Sequence, residues 1–535
     1  MRKTKLPKLS KKIQSKIEDK DVSELDFLEQ GSIDEESGDR WLGSDIAKSL
    51  RFYQKAYNNY LKSIETDYNI DAYYNSSRLL FQIYNLLKTD GLKLKDLNNI
   101  DEIFGSNSII QPLDQILKAH EDAIKQAKTQ GAQPSPDLLF NFAVVYNEFI
   151  DVQGDSTDLT NLFNVFSLAA EIFETLLASQ LNELEKFADE LQNIDNSTVF
   201  SGNRNANGGN KRQEELVSAE VVQPTDLCET VLASYKLMSS MYDADFATPQ
   251  NLQSIADLIS PLMYYTDDIV EKLLEKYSYK SHISDMLDNI TKVQHDEIHI
   301  LRISIMGSYH TDLEFMMKHW QVIGLPETPE RYMTASDNIQ AYLDRNEINL
   351  DKVNKSANED KEIYWRCLTF QNTELKKAQE LLNGQLKIKR KSPDGTELGI
   401  GSLISQISEV IIARADIELT RSLMDYEPAI KNKNVLFNNA KVFLKSAMNI
   451  ANTSGGLREK ITEKLSREQR KTESALRLCY LENKYTPEEL NEIMGSTSRW
   501  EDELPNLRKV GLYNRGILTT TSKYEAVAHA SGHDL

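Results

Sequence analysis

From Trp41 onward, apolar and polar positions follow one another with the period of an amphipathic helix. Between Ala47 and Ile64 the residues Leu50, Tyr53, Tyr57, Tyr60, Leu61 and Ile64 recur mostly in steps of three and four, which puts them on one buried face. Glu65 to Asn69 break the pattern, and a second helix is expected from Asp71. The same texture predicts helices at 116–127, 167–178 and 254–265, and further on at 362–384, 401–424, 435–456 and 457–485. Two stretches interrupt it and read as loops, 88–108 and the Asn/Gly-rich 196–215. Thr486, Pro487, Glu488 and Glu489 form a capping box with proline at the first helical position, so a short helix is expected there, stopping near Gly495.

Three of the predicted helices share a layout. Asp71, Asp137 and Asp226 each stand at a helix start, where a carboxylate suits the positive end of the helix dipole. A bulky residue follows each nine positions later: Leu80, Tyr146 and Tyr235. Pro136 and Pro224 precede the second and third aspartates, as suits a first helical turn.

Around the first of these helices, Ala56, Tyr60, Ser63 and Asp67 are followed by Tyr73, Ser77 and Leu80. This spacing resembles the tetratricopeptide repeat (TPR), a pair of antiparallel helices of about 34 residues with small residues at the helix crossing and aromatics filling the gaps. The first four residues match its second helix, and the last three match the first helix of the following repeat. Tyr68 stands where the family has a helix-ending proline. The resemblance implies an all-α fold, an α-solenoid of antiparallel hairpins with a more irregular helical C-terminal part. The expected layout is a charged, disordered arm at 1–40, repeats at 41–325, a polar connector with a short helix at 326–360, a helical region at 361–496 and a tail at 497–535.

A TPR-like array also implies a concave groove lined by the first helix of each pair. Asn75 and Asn141 occupy equivalent places, four residues after Asp71 and Asp137, and Arg78 lies one turn from Asn75. Asparagines at that place hold the backbone of a bound peptide in TPR proteins, so Asn75, Arg78 and Asn141 are the expected binding residues. Thr230 takes the matching place in the third helix, which carries no basic residue up to Tyr235. The lysine/arginine carboxylate clamp of chaperone-binding TPR domains is therefore not expected.

Composition agrees with helices joined by short connections: 27% charged residues, 40% hydrophobic, and only 22 Gly and 13 Pro. A chain of 535 residues is long enough for two or three domains or one elongated array. Its net charge of -20 opposes a phosphate backbone, so no direct nucleic-acid contact is expected, and a basic polypeptide suits it better. Basic residues crowd positions 2–20 and acidic ones 21–39, a block pattern with little apolar area to bury. The basic block reads equally as a nuclear-import signal, a tether or an inert tail. Cys228, Cys367 and Cys479 lie far apart, which points to buried thiols in a reducing compartment. The start MRKTKLPKLSKK has no apolar signal region, and no apolar run is read as approaching the roughly 18 residues a bilayer requires. A cytoplasmic or nuclear protein with no membrane partner is expected.

Candidate chemistry is sparse. His295 and His299 stand at i and i+4, a spacing by which one helix face can offer two nitrogens to zinc. Asp296 and Glu297 depart from the HExxH order, and spacing fixes no third ligand, so the pair is only a weak metal candidate and no metal is expected. Gly399-Ile400-Gly401 lacks the third glycine of a dinucleotide loop, and neither a phosphate-binding GxxxxGK[ST] nor a GxSxG elbow occurs. No cofactor, small-molecule substrate or catalytic residue is expected. The chain reads as a non-catalytic scaffold or assembly-chaperone-like adaptor that binds a protein partner. A metal-dependent enzyme or enzyme subunit on an α-α repeat fold, and a structural subunit of a large complex, are the alternatives.

Overall fold

Asp26 turns the chain into its first helix by accepting hydrogen bonds from the backbone N–H groups of Leu28 and Glu29. That helix, α1 (Phe27–Leu42), occupies most of the acidic half of the arm expected to be disordered at 1–40. It is ordered because it has something to bury. Gly31, Glu35 and Gly38 share one face, and a Cβ on either glycine would come within 2.5 Å of the Tyr60 or Tyr53 ring. Small residues at that spacing let α1 lie directly on α2 (Ile46–Asp67). The computed structural model describes residues 26–153, 159–200, 222–243, 246–276, 290–310, 312–322, 324–391, 398–495 and 497–513. Residues 1–25 of the arm and 201–215 of the expected Asn/Gly loop lie outside them.

The described residues are all-α, built of successive antiparallel helices, and they fall into two compact units. One unit lies within residues 127–311 and 324–326. Its helices are α5 (Pro136–Gln153), α6 (Leu159–Phe200), α7 (Pro224–Asp243), α8 (Leu252–Glu271) and α9 (Lys292–Ser308). Helix α7 packs on all four others. Asp137 and Asp226 stand in first helical turns as expected, and Tyr146 and Tyr235 are buried. The segment Leu159–Glu190 is, by length and composition, apolar enough to cross a membrane, at odds with the expectation that no such run exists. Its Leu162, Phe166, Phe173, Leu177 and Leu184 are buried, and α6 packs on α5, α7 and α8, which is the pattern of a core helix. The helix also continues to Phe200, into the start of the loop expected at 196–215.

The other unit joins the two ends of the sequence, residues within 26–126 and within 312–323 and 327–513. Its N-terminal part contains α1, α2, α3 (Ile70–Leu87) and α4 (Leu113–Thr129, which runs to the unit's edge), with short 3-10 turns at 94–96 and 101–104 inside the expected 88–108 connection. Its C-terminal part contains α10 (Leu313–His319), α11 (Pro329–Arg345), α12 (Leu350–Val353), α13 (Asn358–Lys391), α14 (Ile400–Leu423), α15 (Glu427–Ala451), α16 (Ile461–Leu481) and α17 (Pro487–Met494). The connector at 326–360 is thus mostly helix, because Tyr332, Ala335, Ile339 and Leu343 give α11 a buried face against α13. Helices α13 to α16 run up and down in order. Their antiparallel register shows in the Trp365–Arg421 and Asn372–Glu418 contacts, then in Ser408–Ala447 and Asn439–Glu418, then in Lys445–Glu482 and Lys471–Asn452.

The predicted capping box forms at Thr486 and Glu489, and Gly495 ends α17 in a left-handed conformation. The expected tail from 497 instead folds into α18 (Thr497–Glu501) and α19 (Leu504–Val510). Trp500, Leu504, Leu507 and Tyr513 are buried against α16, four apolar anchors too widely spaced to show as a periodic pattern. The array expected over 41–325 does not hold as one body. Residues up to 126 pack instead with the C-terminal helices: Ile461 and Leu465 of α16 join the core of Leu50, Tyr53, Tyr60 and Ile83, and the Ile461 N–H donates to the Gly43 carbonyl.

Candidate functional site

Helix α3 carries two of the expected binding residues, and its packing decides between them. Arg78 sits among Tyr60, Tyr74 and Glu35, and its Nη2 lies 2.6 Å from both oxygens of the Glu35 carboxylate. Both side chains are about nine-tenths buried. Glu35 also accepts from the Tyr60 hydroxyl at 2.8 Å. Burial alone would lower the Arg78 pKa, but Glu35 holds it above the usual arginine value. Arg78 therefore pins α1 to α3 and does not line a groove, a correction to its expected role. Asn75, one turn earlier, is half-buried. Asn141 is 1% exposed on α5 of the other unit, so it too is a core side chain and not a groove-lining one. The matching Thr230 on α7 is buried and donates to the Asp226 carbonyl.

His295 and His299 share the face that their spacing predicts, with ring centroids 4.6 Å apart. Burial, then the neighbouring His295 and Arg302, lower the His299 pKa. Arg302 itself is held by Asp267 at 2.9 Å, and Asp267 also accepts from Tyr235 at 2.6 Å. Among the described residues no group of three His, Cys, Asp or Glu could hold a metal ion. The three cysteines are buried, and burial pushes Cys228 and Cys367 up to about 12 and Cys479 to about 11. At neutral pH they are neutral thiols and poor nucleophiles.

A more open polar feature lies where the two ends of the sequence meet. A cleft of about 310 Å³ is lined by Asp90 from the connection after α3, Ser402, Ser405 and Glu409 from α14, and Glu463 and Ser466 from α16. One oxygen of Glu463 is buried without a hydrogen-bond partner. Arg470, one turn beyond Ser466, pairs with Asp90 and with Glu473 and lies 3.8 Å from Glu409. The cleft thus offers three carboxylates and several hydroxyls at one place, with one arginine already engaged at its edge. Such a lining can accept hydrogen bonds from a cationic group.

Below that cleft the C-terminal helices share a buried ionic core. Arg477 bonds Asp416 at 3.2 Å and Glu473 at 2.9 Å, and the Tyr513 hydroxyl donates to Asp416 at 2.6 Å. Glu503 is 1% exposed, and burial, then nearby Glu473, push its pKa up to about 7. Arg467 pairs with Glu459 at 2.8 Å and caps the Ala451 carbonyl at 2.7 Å. Sequence reading missed these residues because charge on a helix is ordinarily a solvated face. The density of charge in 457–485 was a signal for Glu459, Arg467, Glu473 and Arg477, whereas Asp416, Glu503 and Tyr513 lie outside that stretch.

The described residues define an all-α protein of packed helical hairpins. The family described as the YNL193W C-terminal domain matches residues 334–503, which span α11 to α18 and most of the ionic core. The Saccharomyces cerevisiae protein YNL193W, described as uncharacterized, is 24% identical over 522 residues, covering 86% of this chain and 90% of that protein. The Schizosaccharomyces pombe UPF0656 protein C926.02 is 31% identical over 135 residues, covering 24% of this chain and 25% of that protein. Among solved structures, a circular tandem repeat protein is similar with a TM-score of 0.23 at 13% identity, covering 90% of this chain and 95% of its own. Yeast Tom70 gives a TM-score of 0.16 at 11% identity, covering 94% of each chain. Scores this low leave the fold resting on the helix packing itself.

Proposed function

We propose that the protein is a non-catalytic, TPR-like helical scaffold that binds a basic polypeptide segment, with a lysine or arginine side chain entering the Asp90–Glu409–Glu463 cleft. The observation that carries this reading is the cleft: carboxylates from three separate segments converge on about 310 Å³, and one Glu463 oxygen is buried with its hydrogen-bonding capacity unused. The net charge of -20 adds a long-range field that draws in basic chains and speeds their encounter. The expected asparagine groove gives no comparable support, since Arg78 and Asn141 are buried.

The test is a fluorescence-anisotropy titration of the full chain with a labelled Lys/Arg-rich peptide and with an Asp/Glu-rich one. The basic peptide is expected to bind, more weakly as salt rises. A Glu409→Gln/Glu463→Gln variant removes two attractions of up to about 1 kcal/mol each, so affinity falls by up to roughly 30-fold. Equal binding of both peptides, or an unchanged affinity in the variant, would sink the proposal.

A further inference from the structure

A second surface of the C-terminal helices has the opposite charge. Because α13 to α16 alternate in direction, the last turn of α13, the start of α14, the end of α15 and the start of α16 all lie at one end of that bundle. The last turn of α13 carries Lys387, Lys389, Arg390 and Lys391, all exposed, with Ile388 72% exposed among them. Lys389 donates to the Leu398 carbonyl at 2.7 Å, and Arg390 reaches the Thr453 hydroxyl at 3.3 Å. Those contacts tie the turn to the start of α14 and to the connection after α15, and both are to neutral oxygens. That connection carries Arg458 and Lys460, and its Leu457 is 99% exposed; Leu398 is 48% exposed. Glu459 is the acidic residue between them, and its carboxylate is paired with Arg467. Glu463, in the first turn of α16, is a second acidic residue at this end, so Lys387, Lys389, Arg390, Lys391, Arg458 and Lys460 outnumber Glu459 and Glu463.

We propose that this end of the bundle is a docking surface for an anionic lipid bilayer. Leu457, Ile388 and Leu398 stand exposed on three separate segments. Fluid acyl chains accept isolated aliphatic side chains without shape matching, whereas a protein partner would need a fitted pocket for each. Lysine and arginine beside them meet lipid phosphates and carboxylates. The acidic remainder of the protein is repelled by the same membrane, so the field orients this end toward the lipid.

Co-sedimentation of the full chain with vesicles of phosphatidylcholine alone, or mixed with phosphatidylserine, tests the proposal. The protein is expected to partition onto the phosphatidylserine vesicles and to leave them as salt rises. A Lys387→Glu/Lys391→Glu variant should lose at least roughly 30-fold in partitioning, from about one Lys/Arg-sized contribution per residue. Leu457→Ser should lose roughly tenfold, and both variants should keep the wild-type helical circular dichroism because all three positions are exposed. Equal sedimentation with both vesicle types, or undiminished partitioning of the double variant, overturns the proposal. Capture of a poly-glutamate peptide by this surface without vesicle binding would likewise overturn it and assign the surface to an acidic protein segment.

Discussion

Replacing Arg78 by methionine should loosen the hold of α1 on the molecule. The arginine Nη2 is 2.6 Å from both oxygens of Glu35, and the two side chains are only 7% and 10% exposed. The substitution keeps most of the aliphatic bulk but strands a buried carboxylate. Breaking a buried pair from one side costs about 3–5 kcal/mol, so the opening of α1 should become more than roughly a hundredfold more frequent. Glu35→Leu with Arg78→Met removes both charges and should recover most of that loss. What remains is the Tyr60 hydroxyl without its acceptor, about 1–3 kcal/mol. Hydrogen exchange of residues 27–42 followed by mass spectrometry reads the opening directly. If protection of that segment changes less than tenfold in the single variant, the pair does not hold the helix. If protection is unchanged while basic-peptide binding is lost, Arg78 returns to a ligand-binding role.

Two further outcomes follow from the packing. Glu503 has its folded pKa raised from the ordinary 4.5 to about 7 by burial and then by Glu473, with Arg477 and Arg470 pulling it down. The folded state then binds the extra proton between those values. Its stability therefore falls as pH rises from about 4.5 to about 7, by roughly 3 kcal/mol for this group, and stays reduced above. Glu503→Gln should lose that slope and melt higher than wild type at pH 8, and parallel pH profiles for the two proteins would refute the assignment. Gly38→Ala should destabilise by about 1–3 kcal/mol because its Cβ would meet the Tyr53 ring at 2.5 Å, outweighing alanine's better helix propensity. Gly384→Ala on α13, with nothing within 4 Å, should instead stabilise by about 1 kcal/mol, and thermal denaturation of the pair separates steric from propensity effects.

Helix class and helix position were legible along most of the chain, since the 3.6-residue period and the caps are local. Asp71, Asp137 and Asp226 begin helices, Leu80, Tyr146 and Tyr235 are buried, and Thr486 and Glu489 close their box. The candidate site was almost wholly illegible. Asp90 lies more than 300 residues before Glu409 and Glu463, and nothing local marks the three as neighbours. Arg78 misled because a charged residue beside a TPR-like asparagine reads as a ligand contact. Its partner Glu35 lay in a stretch whose acidity read as disorder.

The sequence by itself determined that this protein is helical, that its charge is strongly negative, and that its cysteines are buried in apolar faces. Those properties depend on period, composition and neighbours within a turn or two. Only the tertiary structure decided that residues 26–126 join the C-terminal helices, that residues within 127–311 and 324–326 form a unit of their own, and that the tail from 497 closes the core with Trp500 and Tyr513. Pairing between distant helices depends on fit: a glycine notch at Gly31 and Gly38, a buried Glu35–Arg78 pair, a carboxylate cleft assembled from three segments. Such fit leaves no periodic trace, because each contact is specified jointly by residues that the chain itself keeps apart.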